Sequence, residues 1–579
     1  MQHRRAILLA VLVALSLVAM PLSVAGGVAA APAGIDSTVS EPTIDATGTV
    51  GATATVETQQ TAGGDVLWAD PATVGTDQLD AGADRLAVAQ TNETIGYVDG
   101  YWYDDELPVD ERDDATVSED ELEAVVSRSM ARTEVIRELT FEERPDVEVI
   151  TREQFQDESE DMFGDPSDRD LLVDNVRYEA KLMVERDRDS FEALQELYGD
   201  AVAGYYSPAQ EQIVLISDDL EAVEVDEVTL GHELLHALQD QHFGLDHFDR
   251  ETMEADATSN GLIEGDAVFV DSQYEERCGA EWDCLEPTAD PPTPGDIVYG
   301  QFFSLIMPYD EGPDYVEYVY EQGGWEAVNA LYDDPPTSTS EIIRPDEERE
   351  PVDVEVEDRS DDTWNVVDPD EGPTTQVVGE AGIASKFMHD SLERMGESVI
   401  GIEDFLVQEP DGSESYVYDQ PYTDGWKGDG LVVYATDDED IDESGYVWEL
   451  AWVDEEQADQ FLEGYLELLD LHDGEPVDGH QDTITVEGDF PGAYFIDQDG
   501  DTVTIVNAPS VEDLSSIVEG AAPEGEDTMA WGPLEGPDDD GDDTDDTDDA
   551  DDDSEAIPGF GPLVALLAVL LAVALLARR

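Results

Sequence analysis

The chain has 579 residues, with 145 Asp plus Glu against 24 Lys plus Arg, a formal net charge of −121 and a pI of about 4.1. That balance excludes a nucleic-acid-binding protein, because phosphate contacts need clusters of Lys and Arg and none occurs. Hydrophobic residues at 40% also exclude an acidic disordered chain and leave ample material for folded cores.

The N-terminus opens with Met1-Gln2-His3-Arg4-Arg5, an apolar run over 6–20 and small residues at 28–31. This pattern predicts a signal peptide over 1–31; Arg4-Arg5 is compatible with twin-arginine export and the strongly apolar run with the general route. Residues 32–65, rich in Thr, Ala and Gly, read as a flexible stalk. A first folded unit is expected over 66–345. Its helical part starts at Ser118-Glu119-Asp120-Glu121, a capping box leading into a helix to about 139. A strand over 147–150, helices over 170–186 and 189–198, and an apolar strand over 213–217 follow.

Gly231-His232-Glu233-Leu234-Leu235-His236 is the chemically informative stretch. Two histidines four apart on a helix share one face, so both ring nitrogens can reach one zinc ion, and the intervening Glu233 stands ready as a general base. Uncharged neighbours and the absence of proline predict a buried helix over about 227–241. A third ligand is needed, and two residues compete for it. Glu264, on an expected second helix after the loop at 243–250, gives a His, His, Glu set. His242 has the metzincin spacing, and Met307-Pro308-Tyr309 echoes that family's methionine turn, but Gln239 stands where metzincins keep a glycine. Continued as a helix, His242 points about 240° around the axis from His236.

The runs Ala203-Gly204-Tyr205-Tyr206-Ser207-Pro208, Gln212-Ile213-Val214-Leu215-Ile216, 232–243 and 262–267 resemble a group of secreted prokaryotic metallopeptidases of gluzincin type. Residues 335–345 and 425–429 resemble blocks of the same group, so the likeness spans the chain from about 120 to about 470. The resemblance implies a mostly helical zincin-like catalytic domain with a short edge sheet. It also implies zinc held by His232, His236 and Glu264, Glu233 as base, and a peptide or protein as substrate. In such enzymes an edge strand before the metal helix binds substrate backbone; 213–217 is the candidate, with an ordinary core strand as the alternative. His242, His247, Tyr205, Tyr206 and Tyr274 are candidate donors to a developing oxyanion. Asp240, Asp256 and Asp266 are candidates for orienting the ligand imidazoles, although in so acidic a chain each is also readable as a solvated carboxylate.

Cys278 and Cys284 are spaced to close a small loop in an oxidising compartment. Residues 346–376, acidic and proline-containing, read as a linker. A smaller α+β domain is expected over 377–531, with strands near 431–436, 446–453, 483–487, 492–497 and 501–507 and helices near 454–469 and 511–519. Within it Gly425-Trp426-Lys427-Gly428-Asp429 reads as a turn with a buried tryptophan or as part of a cleft wall. An acidic spacer over 532–556 precedes 557–579, where Pro558-Gly559-Phe560, an apolar run and Arg578-Arg579 resemble the archaeal surface-sorting signal processed by an archaeosortase. Processing of that kind implies a membrane or lipid anchor and a folded part on the outer face of the cell. Acidic residues spread through folded segments resemble the surfaces of halophilic archaeal proteins, which work where salt screens repulsion within roughly 3 Å at 1 M.

Overall fold

The first long helix, α1 (Glu119–Arg137), starts as its capping box requires, with the Glu121 carboxylate accepting from the backbone N–H of Ser118 at 3.0 Å. The computed structural model describes residues 15–17 and 94–529, apart from 113–114, 157–163, 165, 218–219, 221–222, 288–296, 348, 395–397 and 409–413. The stalk at 32–65, the acidic spacer at 532–556 and the sorting segment at 557–579 lie outside the described residues, as does the leader at 1–31 apart from Leu15–Leu17.

Helix α1 is buried although its mean hydropathy is low, because its buried residues include Arg128, Arg132 and Arg137 beside Val125, Val126, Met130 and Ile136. Each arginine finds a carboxylate: Arg128 and Arg132 reach Glu227 at 2.9 and 2.6 Å, and Arg137 reaches Asp266 at 3.0 Å. Buried charges survive only when paired and hydrogen-bonded, so these contacts fix α1 against the helices that follow.

Next come β1 (Asp146–Ile150), α2 (Asp168–Ala180), α3 (Ser190–Ala201), β2 (Val202–Ser207) and β3 (Gln212–Ile216). Strand β3 is interior, pairing antiparallel with β2 and parallel with β1, while the outer side of β2 pairs with Leu15–Leu17. Of the two readings of 213–217, a substrate-binding edge strand or an ordinary core strand, the pairing gives the core strand and corrects the edge. Ile213, Val214 and Leu215 are buried, as a central strand demands, and the strand beside Glu233 is β2.

Helices α4 (Glu227–Phe243) and α5 (Met253–Arg277) pack together, and α6 (Tyr299–Leu331) lies along α5. A Cβ on Gly265 would lie 2.4 Å from the backbone of Gly312, so the α5–α6 approach depends on bare glycine at this crossing. Helix α6 runs through Pro308 and Pro313 and bends at Gly324, where φ is +66°. Met307-Pro308-Tyr309 is thus helical and not a methionine turn; Met307 is fully buried in the apolar core, away from that role.

The short α7 (Thr339–Ile343) leads through 346–376 to α8 (Gly379–Glu393). Then come β4 (Trp426–Ala435), β5 (Ser444–Trp452), α9 (Glu455–Leu471), β6 (Thr483–Val486), β7 (Gly492–Asp499), β8 (Thr502–Ala508) and α10 (Val511–Ile517). An antiparallel sheet runs in the order Thr375–Gln376, β4, β5, β8, β7, β6, Gly474–Pro476, with Asn365–Val366 also on β4. The fold is α+β.

The described residues from 94 to 529 belong to one compact unit, in which the smaller α+β part packs directly on the helical part. The acidic segment is bonded to β4: Val352 N–H donates to Lys427 O at 2.8 Å and Val367 N–H to Val433 O at 2.9 Å. One apolar cluster joins Val173, Phe303 and Phe387 to Trp448 and Phe461 across the expected boundary. The block at 425–429 is the buried turn, since Trp426 is inside and Asp429 accepts from Trp426 Nε1, Trp448 Nε1, and the N–H groups of Val378 and Gly379. Thr339, in the 335–345 block, donates through its N–H and hydroxyl to Glu254, whose carboxyl burial pushes up to about 8.

Candidate metal centre

Helix α4 begins at Asp226, whose carboxylate accepts from Val228 and Thr229 N–H, and ends at Gly244, where φ is +70°. This phasing turns His232 and His236 toward α5, where Glu264 faces them. His232 Nε2 and His236 Nε2 lie 3.0 Å apart, and Glu264 Oε2 is 3.2 and 3.3 Å from them. Ligands of a tetrahedral ion bound at about 2.0–2.1 Å stand about 3.3–3.4 Å from one another, so the three atoms are spaced for one zinc.

The surroundings decide which atoms can bind. Asp271 Oδ2 lies 2.7 Å from His232 Nδ1, and a carboxylate only accepts, so Nδ1 carries the proton. The Gln239 amide donates to Ile263 O at 2.9 Å and accepts from His236 Nδ1 at 2.8 Å. As neutral imidazoles both rings point their Nε2 lone pairs at each other and at a carboxylate, an arrangement that asks for a cation between them, whether a metal ion or, without one, a proton. Glu264 Oε1 is buried without a hydrogen-bond partner, which adds a further acceptor to the cluster. Burial opposes charge on His232, but Asp271 and Glu264 outweigh it and raise its pKa well above the ordinary value. For Glu264, burial is outweighed by the two imidazoles, which draw its pKa down. These residues fit a zinc ion.

Glu233 is fully buried beside β2; a Cβ on Gly204 would lie 3.8 Å from Glu233 Cγ. Tyr309 stacks on His232 with ring centroids 6.4 Å apart. Neither Tyr309 nor the two orienting residues was singled out for these roles in the sequence. Asp271 carries a usable signal, since it follows Glu264 by seven residues, two turns on the same helix face. Gln239 has one too, three residues after His236.

The other sequence candidates are placed elsewhere. His242 stands apart from the cluster, its Nε2 2.8 Å from Thr140 O, and His247 lies against Gly244 O and Tyr332 O. Tyr206 donates to Asp240 at 2.9 Å and Tyr274 to Glu227 at 3.0 Å, while Tyr205 packs on Phe155. Asp256 pairs with Arg250, and Asp240 also holds Leu245 N–H. Asp266 binds Arg137 and Tyr332 and touches Gln239 at 3.4 Å, supporting His236 only through that amide. Cys278 and Cys284 form a disulfide at the end of α5, and Arg132 lies 4.8 Å from the ring of Trp282 inside that loop. No helix among the described residues is long and apolar enough to cross a membrane.

Because Asp271 sets the tautomer of His232, Asp271→Ala is expected to weaken zinc binding about 10–100-fold with the fold intact, measured by chelator competition. An unchanged affinity would remove Asp271 from the centre.

Residues 365–518, which make up most of the larger sheet and exclude the metal cluster, match a family model described as a domain of unknown function (DUF8575). No curated protein and no solved structure matches the chain.

Proposed function

We propose that the protein is a zinc-dependent, gluzincin-like metallopeptidase that hydrolyses peptide bonds in high salt. On this reading it works on the outer face of the cell, anchored at its C-terminus after processing by an archaeosortase-type enzyme. The convergence of His232, His236 and Glu264 at zinc spacing, with Glu233 next to His232 in the chain, carries the proposal. When bound, the ion supplies the positive charge that acidifies water and polarises a carbonyl. Asp271 and Gln239 hold both Nδ1–H groups, keeping the Nε2 lone pairs aimed inward. Glu233 takes the proton of the attacking water and delivers it to the leaving amine.

One observation favours a second reading, a zinc that only ties α4 to α5. His232 is 4% exposed, Glu264 1%, and Glu233 and His236 0%. Two clefts among the described residues, of about 660 and 880 Å³, are lined by His242 and Tyr332 and by Arg349 and Lys427 respectively, away from the cluster.

Zinc analysis in multimolar salt, together with peptide hydrolysis before and after chelation, separates these readings. One zinc per chain is expected in the wild type and in His242→Ala, and none in Glu264→Ala. Zinc without hydrolysis of any peptide would leave only the structural role.

A further inference from the structure

Arg250 lies in the turn between α4 and α5, and its side chain is 7% exposed. Its Nη1 donates to Asp256 Oδ1 at 2.7 Å and to Asn260 Oδ1 at 2.6 Å. The remaining nitrogens, Nε and Nη2, are both buried without a hydrogen-bond partner. Arg128, Arg137 and Arg349 each leave a single nitrogen unmet, whereas Arg250 leaves two. Those two N–H groups lie on one edge of the guanidinium and run parallel, the spacing that meets both oxygens of a carboxylate.

The location gives this edge a meaning. Asn260 precedes Glu264 by one turn of α5, so the two share a helix face with Cβ atoms about 5–6 Å apart. Arg250, bonded to Asn260, is therefore held one turn from a ligand of the metal cluster. Asp256 and Asn260 occupy Nη1 and lock the fork, leaving the edge formed by Nε and Nη2 for a third partner. A buried charged donor left unmet is costly in a folded chain, and a functional partner is one of the few reasons to retain it.

We infer that Arg250 is a substrate-binding residue that takes a carboxylate of the peptide being cleaved, side-on through Nε and Nη2, and so selects peptides carrying a carboxylate close to the scissile bond. The inference rests on the peptidase reading. A chain with net charge −121 does not draw a carboxylate in from a distance. Recognition has to be short-range, desolvated and bidentate, which an arginine fork provides and a point charge does not. The carboxylate has two sources: the C-terminus of the substrate, which makes the enzyme a carboxypeptidase, or an Asp or Glu side chain, which makes it an acid-selective endopeptidase.

Paired peptides test this on the full zinc-loaded chain in multimolar salt. One pair differs as free acid against C-terminal amide, the other as Glu against Gln within a peptide blocked at both ends. In one pair kcat/KM is expected to be at least about tenfold higher for the carboxylate member, and the responding pair names the source. Arg250→Gln and Arg250→Lys should collapse that ratio toward one, with zinc content and circular dichroism confirming the fold. Calorimetric titration of the same peptides into Glu233→Gln should give the same ratio in Kd. Hydrolysis with both wild-type ratios near one, or equal Kd values, overturns the inference and leaves the peptidase reading standing. No hydrolysis of any peptide overturns both. If the Arg250 variants do not fold, the wild-type ratios decide.

Discussion

Replacing Glu233 by glutamine is expected to lower peptide hydrolysis by about 10²–10⁴-fold or more while zinc content stays at the wild-type level. The substitution is nearly isosteric, and Glu233 is fully buried on α4, so packing changes little. What is lost is the capacity to accept a proton from water and pass it on. The ligands lie on either side along the helix and keep their own supports, His232 through Asp271 and His236 through Gln239, so the metal remains. A purely structural zinc gives the opposite pattern, with no rate to lose and no change in metal. Hydrolysis by Glu233→Gln within tenfold of the wild type would remove Glu233 from the base role and send the search to another carboxylate.

Elements whose signals are local were legible in the sequence. The metal helix, expected over about 227–241, is found at Glu227–Phe243, and the helix expected from the capping box to about 139 is Glu119–Arg137. The strands near 446–453, 492–497 and 501–507 lie within a few residues of β5, β7 and β8. What escaped depends on residues far away in the chain. Helix α8 has no capping side chain at its own N-terminus; its first N–H groups are met by Asp429, fifty residues later, so nothing local announced it. The echo of a methionine turn at Met307-Pro308-Tyr309 misled for the same reason: the close approach of Gly265 to Gly312 holds α6 against α5 as a helix through Pro308. The acidic composition of 346–376 announced nothing of its backbone pairing to β4, which net charge does not encode.

The site divides in the same way. The convergence of His232 and His236 was legible from spacing, and Glu264, one of two candidates for a third ligand and the one the resemblance implies, is the one that lies beside them. Asp271 and Gln239 carry only helical spacing as a signal, seven residues after Glu264 and three after His236, and in a chain with 145 carboxylates that spacing gains meaning only once α4 and α5 are packed together. Arg250 was invisible for a different reason: its significance lies in two bonds that it does not make.

Diluting the salt below about 1 M is expected to unfold the protein cooperatively, and the placement of its few cations explains why. Side-chain exposure is 0% for Arg128 and Arg137, 2% for Arg132, 5% for Arg177 and 6% for Arg344. Lys181 and Lys386, two of only three lysines, are 1% exposed. The interior thus absorbs positive charge that would otherwise offset carboxylates outside, and the surface is more one-sided than the composition alone suggests. Buried pairs such as Arg128 with Glu227 are shielded from ions and change little with salt, whereas the exterior repulsion lengthens its reach from roughly 3 Å at 1 M to about 10 Å at 0.1 M. A circular-dichroism titration from multimolar salt downward should show loss of helix signal near 1 M, regained on adding salt back. Native ellipticity and retained zinc in dilute buffer would mean that the interior ion pairs and the apolar core outweigh the surface charge, and that high salt is not required for this fold.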